Sequence, residues 1–202
     1  MTKSSKTIYK KADSFSRLSK AYGYRSRSSL KLLEIQKKDR FIKLSSVVLD
    51  LGCSPGGWCQ VTNKITGKSG QVFGVDVKHM EPIEGVKFIK KNVADLENKD
   101  FKINGRVINN FDIVLSDIAP KISGIGPRDN ALMVELLQKI QVVIDLFLRN
   151  DGATLVKVFQ GESLDRMMIY MKSRFQKVRI RKPVSSRANS KETFILGLGK
   201  RK

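Results

Sequence analysis

Residues 47–60 read VVLDLGCSPGGWCQ. A short run, apolar but for Asp50, breaks into Gly52-Cys53-Ser54-Pro55-Gly56-Gly57. An apolar strand of this length, 47–51, belongs inside a parallel sheet covered on both faces. Residues from Gly57 to Ile65 have helical character. Glycines in the turn let the backbone approach a ligand closely, and the start of the helix supplies free N–H groups.

Outward from this turn, strands and helices alternate. QVFGVD (71–76), VKFIK (86–90), FDIVLSD (111–117) and ATLVKVF (153–159) are predicted strands, VKFIK being the weakest. Residues 26–38, 130–149 and 162–174 are predicted helices. On the longest, Leu132, Leu136, Ile140, Val143 and Phe147 make one apolar stripe. KVRIRK (177–182) and ETFILGL (192–198) alternate as two last strands. Too few residues separate them for a helix, so an antiparallel edge is expected. No repeat or linker interrupts the pattern. The expectation is one α/β domain over residues 1–202, with about residues 1–12 mobile.

Charge is unevenly placed. The formal net charge is +20. Residues 1–43 hold thirteen Lys/Arg against three Asp/Glu, and residues 166–202 hold twelve against one. The centre, 44–165, is close to neutral. If the two ends meet on one face, that face attracts a polyanion, with nucleic acid the favoured partner. Solubility alone is the plainer reading. Two cysteines, Cys53 and Cys59, suit a reduced compartment and suggest no disulfide framework. With the single His79 they make a zinc site an unlikely use, and no metal is expected. No apolar run approaches ~20 residues, so no membrane span is expected. An intracellular monomer is expected, cytoplasmic by preference, with nuclear, nucleolar or mitochondrial residence open.

In parallel sheets, ligands bind beyond the carboxyl ends of the strands. Asp76 ends the second strand, where a carboxylate can take the paired hydroxyls of a ribose. The ligand could be a dinucleotide or S-adenosylmethionine. The dinucleotide fingerprint G-x-G-x-x-G does not fit, because position 54 is Ser. The segment 47–63 also has no positive charge for a diphosphate. S-adenosylmethionine fits a neutral loop better. Pyrimidine ring carbons commonly need a cysteine nucleophile, and both cysteines lie in or beside the loop. The turn after the fourth strand, Ser116-Asp117-Ile118-Ala119-Pro120, is not the one associated with methylation of base amino groups. A hydroxyl acceptor remains.

Lys157 lies inside the apolar strand Leu155-Val156-Lys157-Val158-Phe159. Burying an ammonium is costly unless it is paired. Asp117, at the end of the fourth strand, is a natural partner. Glu192 is the only acid in a very basic stretch, and Lys31 sits on the first predicted helix. Together they suggest a Lys-Asp-Lys-Glu cluster, with a structural ion pair as the alternative.

GYRSRSSLKLLEI (23–35), VLDLGCSPGGWCQV (48–61), GVDVKHMEPIEGV (74–86), SDIAPKISG (116–124), LVKVFQGE (155–162) and RKPVSSRANSKETFILGLG (181–199) carry a resemblance in this order. The chain resembles the FtsJ/RrmJ family of ribose 2′-O-methyltransferases. The resemblance implies a Rossmann-like fold with a seven-stranded, mostly parallel sheet and an antiparallel last strand. It implies S-adenosylmethionine as cofactor and a catalytic tetrad at Lys31, Asp117, Lys157 and Glu192. Cofactor contacts are expected at Gly52, Cys53, Pro55, Gly56, Gly57, Trp58, Asp76, Val77, Asn92, Val93 and Asp117. Asn92 stands where the family usually has Asp, and Asp95 is an alternative to it. RNA contacts are expected at Arg25, Arg27, Arg181, Lys182 and Arg187, with the 118–129 loop closing over the RNA. The expected substrate is large-subunit ribosomal RNA, at a uridine. The tRNA anticodon loop and a non-catalytic role in ribosome assembly are the alternatives, and an NAD-dependent oxidoreductase is the rival enzyme class.

Overall fold

The structure, a computed structural model, describes residues 14–121, 123–186 and 190–202. The expectation of a mobile amino end lies outside these residues. A helical stretch at 14–21 comes first. Then follow α1 (Ser28–Asp39), β1 (Val47–Leu51), α2 (Gly57–Thr66), β2 (Gln71–Asp76) and β3 (Val86–Lys90). Beyond a two-stranded ribbon (Lys102–Ile103 with Arg106–Val107) come β4 (Phe111–Ser116), α3 (Gly126–Phe147), β5 (Leu148–Phe159), α4 (Glu162–Arg174), β6 (Phe175–Arg181) and β7 (Glu192–Lys200).

The seven strands form one sheet in the order β3-β2-β1-β4-β5-β7-β6. All pairings from β3 to β5 are parallel, and β7 runs antiparallel to both of its neighbours. The last strand of the chain is therefore not an edge strand: it is inserted between β5 and β6. Its burial explains this, since Thr193, Phe194, Ile195 and Leu196 are all at most 2% exposed. A strand with both faces buried needs neighbours on both sides to satisfy its backbone. The edge falls instead to β6, whose residues are mostly exposed.

Side chains alternate across β1. Leu49 and Leu51 enter the core beneath α3 and α4, while Val48 enters the core beneath α1 and α2. Phe73, Phe101, Phe111 and Phe147 meet edge-to-face in the first core, with centroids 5.0–5.6 Å apart. Such geometry adds about 0.5–1.5 kcal/mol per pair beyond the area buried. At the amino ends of the strands, Asp112 accepts from Val47 N (2.6 Å) and from Arg149 Nε (2.5 Å). One carboxylate thus ties β1, β4 and β5 together and fixes their register. In that register Asp50 lies opposite Gly74, and Leu51 opposite both Val75 and Ser116. Gly52, Asp76 and Asp117 therefore emerge at one level of the sheet.

Candidate active site

A cavity of 340 Å³ opens at that level, lined by Gly52, Ser54, Asp76, Val77, Lys78, Lys91, Asn92, Val93, Asp117 and Ile118, among others. Gly52 has φ +72°, and a Cβ there would lie 2.2 Å from Ile118 Cγ1. Only glycine leaves room for Ile118 to close the wall. Asp76 is fixed by two backbone donors, Ser54 N (2.9 Å) and Lys78 N (2.8 Å). Its remaining lone pairs can accept from a diol. Asn92 lines the cavity and accepts from Ala94 N (3.0 Å), capping a short 3₁₀ turn. Asp95 lies outside the lining.

The loop residues Cys53, Pro55, Gly56, Gly57 and Trp58 shape this cavity without lining it. Cys53 turns inward towards Cys59, and both are free and buried. Gly56 is the amino cap of α2, and Gly57 begins it against Ser26. Trp58 is 2% exposed; its Nε1 donates to Ser28 O (2.8 Å), and its ring meets Phe194 at 5.7 Å. Trp58 thus holds the loop to α1 and β7.

Beside the cavity the four tetrad residues form two ion pairs. Lys157 Nζ lies 3.0 Å from Asp117 Oδ1 and donates to the Asp117 carbonyl at 2.5 Å. Asp117 Oδ1 has no aligned hydrogen-bond donor, so the carboxylate contact is an ion pair and the carbonyl bond is the directional one. Lys31 Nζ donates to Glu192 Oε1 (2.5 Å), and the Ser186 hydroxyl donates to the same oxygen (3.1 Å). Register brings the pairs together, because Lys157 lies opposite Phe194 and Glu192 opposite Phe159. Lys31 and Lys157 are 8% and 7% exposed. Burial raises the Glu192 pKa, but Lys31, Lys157 and Ser186 outweigh it and hold the carboxyl below its ordinary range. Removing one member of such a buried pair costs roughly 3–5 kcal/mol, since the other is left uncompensated.

Two further acidic side chains, given no role by the sequence reading, lie near this cluster. Glu34 accepts from Val184 N (2.7 Å) and Ser185 N (3.0 Å), pinning the turn that carries Ser186. Its spacing from Lys31 puts both on one face of α1, a signal present in the sequence. Asp50 is buried, with Cys59 Sγ donating to it at 3.0 Å. An acid within an apolar run was the available signal.

Three of the expected RNA-contacting arginines make hydrogen bonds within the protein. Arg25 donates to Pro55 O (3.3 Å), Glu81 O (2.5 Å) and Pro82 O (2.7 Å), clamping the glycine loop to the 81–82 segment. Arg181 grips Asp39 with Nε and Nη2, both at 2.6 Å. Arg27 donates to Ser185 O (3.1 Å), and Lys182 is exposed. Arg187 lies outside the described residues. In the 118–129 loop, Ser123 N, Ser123 Oγ and Gly124 N all donate to the Asp129 carboxylate, which folds the loop back on α3. Among the described residues no group of three or more His, Cys, Asp or Glu is placed to hold a metal, and no helix is long and apolar enough to cross a membrane.

A model of the FtsJ-like methyltransferases matches residues 24–200. The chain belongs to this family. It is 41% identical over 93% of its length to ribosomal RNA large subunit methyltransferase E of Marinobacter nauticus, covering 90% of that protein. With the protein of the same name from Xylella fastidiosa it shares 38% identity over 94% of its length and 89% of the other. The fold superposes on the crystal structure of a protein described as a ribosomal RNA methyltransferase from Plasmodium falciparum. There the TM-score is 0.75 and the identity 30%, over 88% of this chain and 98% of the other. FtsJ-like membership makes the chain a methyltransferase, so the cavity beside the tetrad is where a methyl donor is to be sought.

Proposed function

We propose that this chain methylates a ribose 2′-hydroxyl of large-subunit ribosomal RNA, with S-adenosylmethionine as donor. The observation that carries the reading is the buried Lys157–Asp117 pair at the mouth of the Asp76 cavity. The cavity fits the donor chemically. Asp76 suits a ribose diol, and Val77, Val93 and Ile118 suit a purine ring. Asp50, Asp76 and Asp117 are close enough for the latter two to raise the Asp50 pKa. Of the charged residues that line the cavity, Asp76 and Asp117 can face a cationic sulfonium, while Lys91 is already paired with Asp100 and Lys78 is exposed. When bound, this donor supplies an electrophilic methyl carbon.

The chain's own residues supply positioning and proton management. A hydroxyl must lose its proton as it is methylated, and Lys157 is placed to take it as the neutral amine or, as the ammonium, to stabilise the developing alkoxide. Asp117 fixes the Lys157 ammonium through its carbonyl and carboxylate. The Lys31–Glu192 pair, held by Ser186, is placed to align the acceptor ribose. The relatives' names favour ribosomal RNA over the tRNA anticodon loop as substrate.

The test is transfer of labelled methyl to ribosomal subunits and tRNA from the same cells. Label in an alkali-resistant dinucleotide from the large subunit is expected, because a methylated 2′-oxygen cannot attack the next phosphate. Lys157→Ala is expected to abolish transfer while leaving donor affinity nearly intact. Full activity in that variant would remove Lys157 from the reaction, and label in tRNA alone would move the substrate.

A further inference from the structure

The end of α1 and the edge strand β6 form a basic corner outside the catalytic cluster. Residues 36–43 and 175–182 together carry eight Lys/Arg and one acid, Asp39. Lys37, Lys38, Arg40, Lys43, Lys177, Arg179 and Lys182 are exposed. The Asp39 side chain is fully covered by the two arginines that it binds. We infer that this corner is a second RNA surface, which grips the phosphate backbone at a distance from the methylated ribose. The inference rests on RNA being the substrate.

Three features point to phosphate rather than to a merely solvated face. The first is how Arg179 is held. Its Nη1 donates to Asp39 Oδ1 (2.7 Å), while Arg181 takes both carboxylate oxygens from the other side. The bond to Asp39 uses one of the five N–H donors of Arg179. The side chain is still 43% exposed. A guanidinium fixed at one nitrogen and open on the rest is a prepared phosphate fork, with less rotamer freedom to lose on binding. Hydrogen bonds from Arg181 and Arg179 keep Asp39 ionised well below the ordinary carboxyl range, against the effect of burial, so the support persists at any working pH.

The second feature is spacing. Arg179 and Arg181 both reach Asp39, so they share a face of β6, and Lys177 shares it by alternation. Cations two residues apart on a strand are roughly 6.6 Å apart, comparable to neighbouring phosphates along an RNA strand. The third is position. Arg181 lies opposite Phe194 on β7, close to Glu192, and Lys177 lies opposite Leu198. Leu198 is six residues along β7 from Glu192, or roughly 20 Å at the strand rise. The track starts at the catalytic pair and leads down the sheet edge. An RNA strand leaving the site in this direction meets Arg179 and Lys177 in turn, flanked by the α1 end.

Simpler roles explain only part of this. Lys37 and Lys38 complement the carboxyl end of α1, and charged side chains on β6 discourage edge-to-edge pairing. Neither requires an arginine fork braced by a buried carboxylate.

The test replaces Lys38, Lys177 and Arg179 together by Gln, leaving Arg181, Asp39 and the tetrad intact. Wild type and variant are titrated with a fluorescent oligouridylate long enough to span the track, over a range of salt. Methyl transfer to large ribosomal subunits is measured alongside, and unchanged affinity for S-adenosylmethionine shows that the variant is folded. Each phosphate contact contributes about 0.7 to the log–log salt slope for a single strand. The variant is expected to lose about two units of slope and to bind RNA on the order of tenfold more weakly at low salt. Its KM for subunits is expected to rise in step, with kcat unchanged. Equal affinity and equal slope in both proteins would overturn the inference even if the wild type transfers methyl. A wild type that transfers no methyl would instead fail the proposed function, while the binding comparison would still read the corner. Loss of binding to phosphatidylserine vesicles, with RNA binding unchanged, would assign the corner to a membrane and overturn it.

Discussion

Lys157 and Asp50 are both ionisable side chains within apolar strands, and their surroundings treat them differently. Lys157 has an acid beside it. Asp50 has a thiol donor and two more carboxylates in range, so burial, partly opposed by Cys59, pushes its pKa up to about 7. In the unfolded chain it ionises near its ordinary 3.8. Between these values the folded state holds a proton that the unfolded state has lost. Stability therefore falls as pH rises through this window and is flat above it. Three pH units correspond to about 4 kcal/mol, as an order of magnitude. Asn at this position cannot titrate, and its side-chain oxygen can still accept from Cys59. Asp50→Asn is thus expected to gain a few kcal/mol on the wild type between about pH 4.5 and pH 8. Urea midpoints at both pH values read this directly, and parallel pH profiles would show that Asp50 is ionised in the fold. The two residues also show what sequence reveals at this scale. A charge in an apolar strand is visible in both. Whether it has a partner depends on contacts such as Lys157 with Asp117, forty residues away, and only for Lys157 was an acid at a neighbouring strand end there to suggest one.

At the scale of elements, α1 acts as a bracket. Arg27, Lys31 and Glu34 recur at helical spacing and grip Ser185, Glu192 and the 184–185 backbone. Lys31 belongs to the ion-pair cluster proposed as catalytic, whereas Glu34 is proposed to position it through the turn. Hydrogen bonds to a charged acceptor are worth roughly 1.5–3 kcal/mol each when buried, and less at this partly exposed site. Glu34→Ala is expected to lower kcat on ribosomal subunits by about tenfold, with S-adenosylmethionine affinity unchanged. Glu34→Gln keeps one acceptor oxygen and is expected to fall between. A drop in donor affinity equal to the drop in rate would show general destabilisation instead. The elements themselves were largely legible, because strands such as 71–76 and 111–116 are apolar blocks between clear breaks. Boundaries were less so. The longest helix begins at Gly126 rather than near residue 130, and Pro127 in its first turn was the overlooked start signal. The placement of β7 inside the sheet was also readable in principle from the apolar run Phe194-Ile195-Leu196. The short connection to β6 suggested a hairpin at the rim, and the hairpin is real, but its second strand faces inward.

Across the whole molecule, among the described residues, cations from the two ends of the chain come together where α1 meets β6. Sequence shows where cations are and not what they already bind: Arg25 donates to three carbonyls and Arg181 to Asp39. The neutral centre, by contrast, lines the Asp76 cavity, proposed as the donor site. A ligand that binds only the folded state stabilises it by about 2.7 kcal/mol at roughly 100 times Kd. For a domain of this size each kcal/mol moves Tm by about 2–4 °C. S-adenosylmethionine at that concentration is therefore expected to raise Tm by roughly 5–10 °C. NAD at the same concentration should leave Tm unmoved, since the turn lacks the third-position glycine. Asp76→Ala is expected to shrink the S-adenosylmethionine shift severalfold without lowering the unliganded Tm by much, because both of its backbone donors lie at the cavity rim. A shift with NAD, or a full shift in the Asp76 variant, would mean that the carboxylate is there to hold the loop and that the donor is bound by other groups.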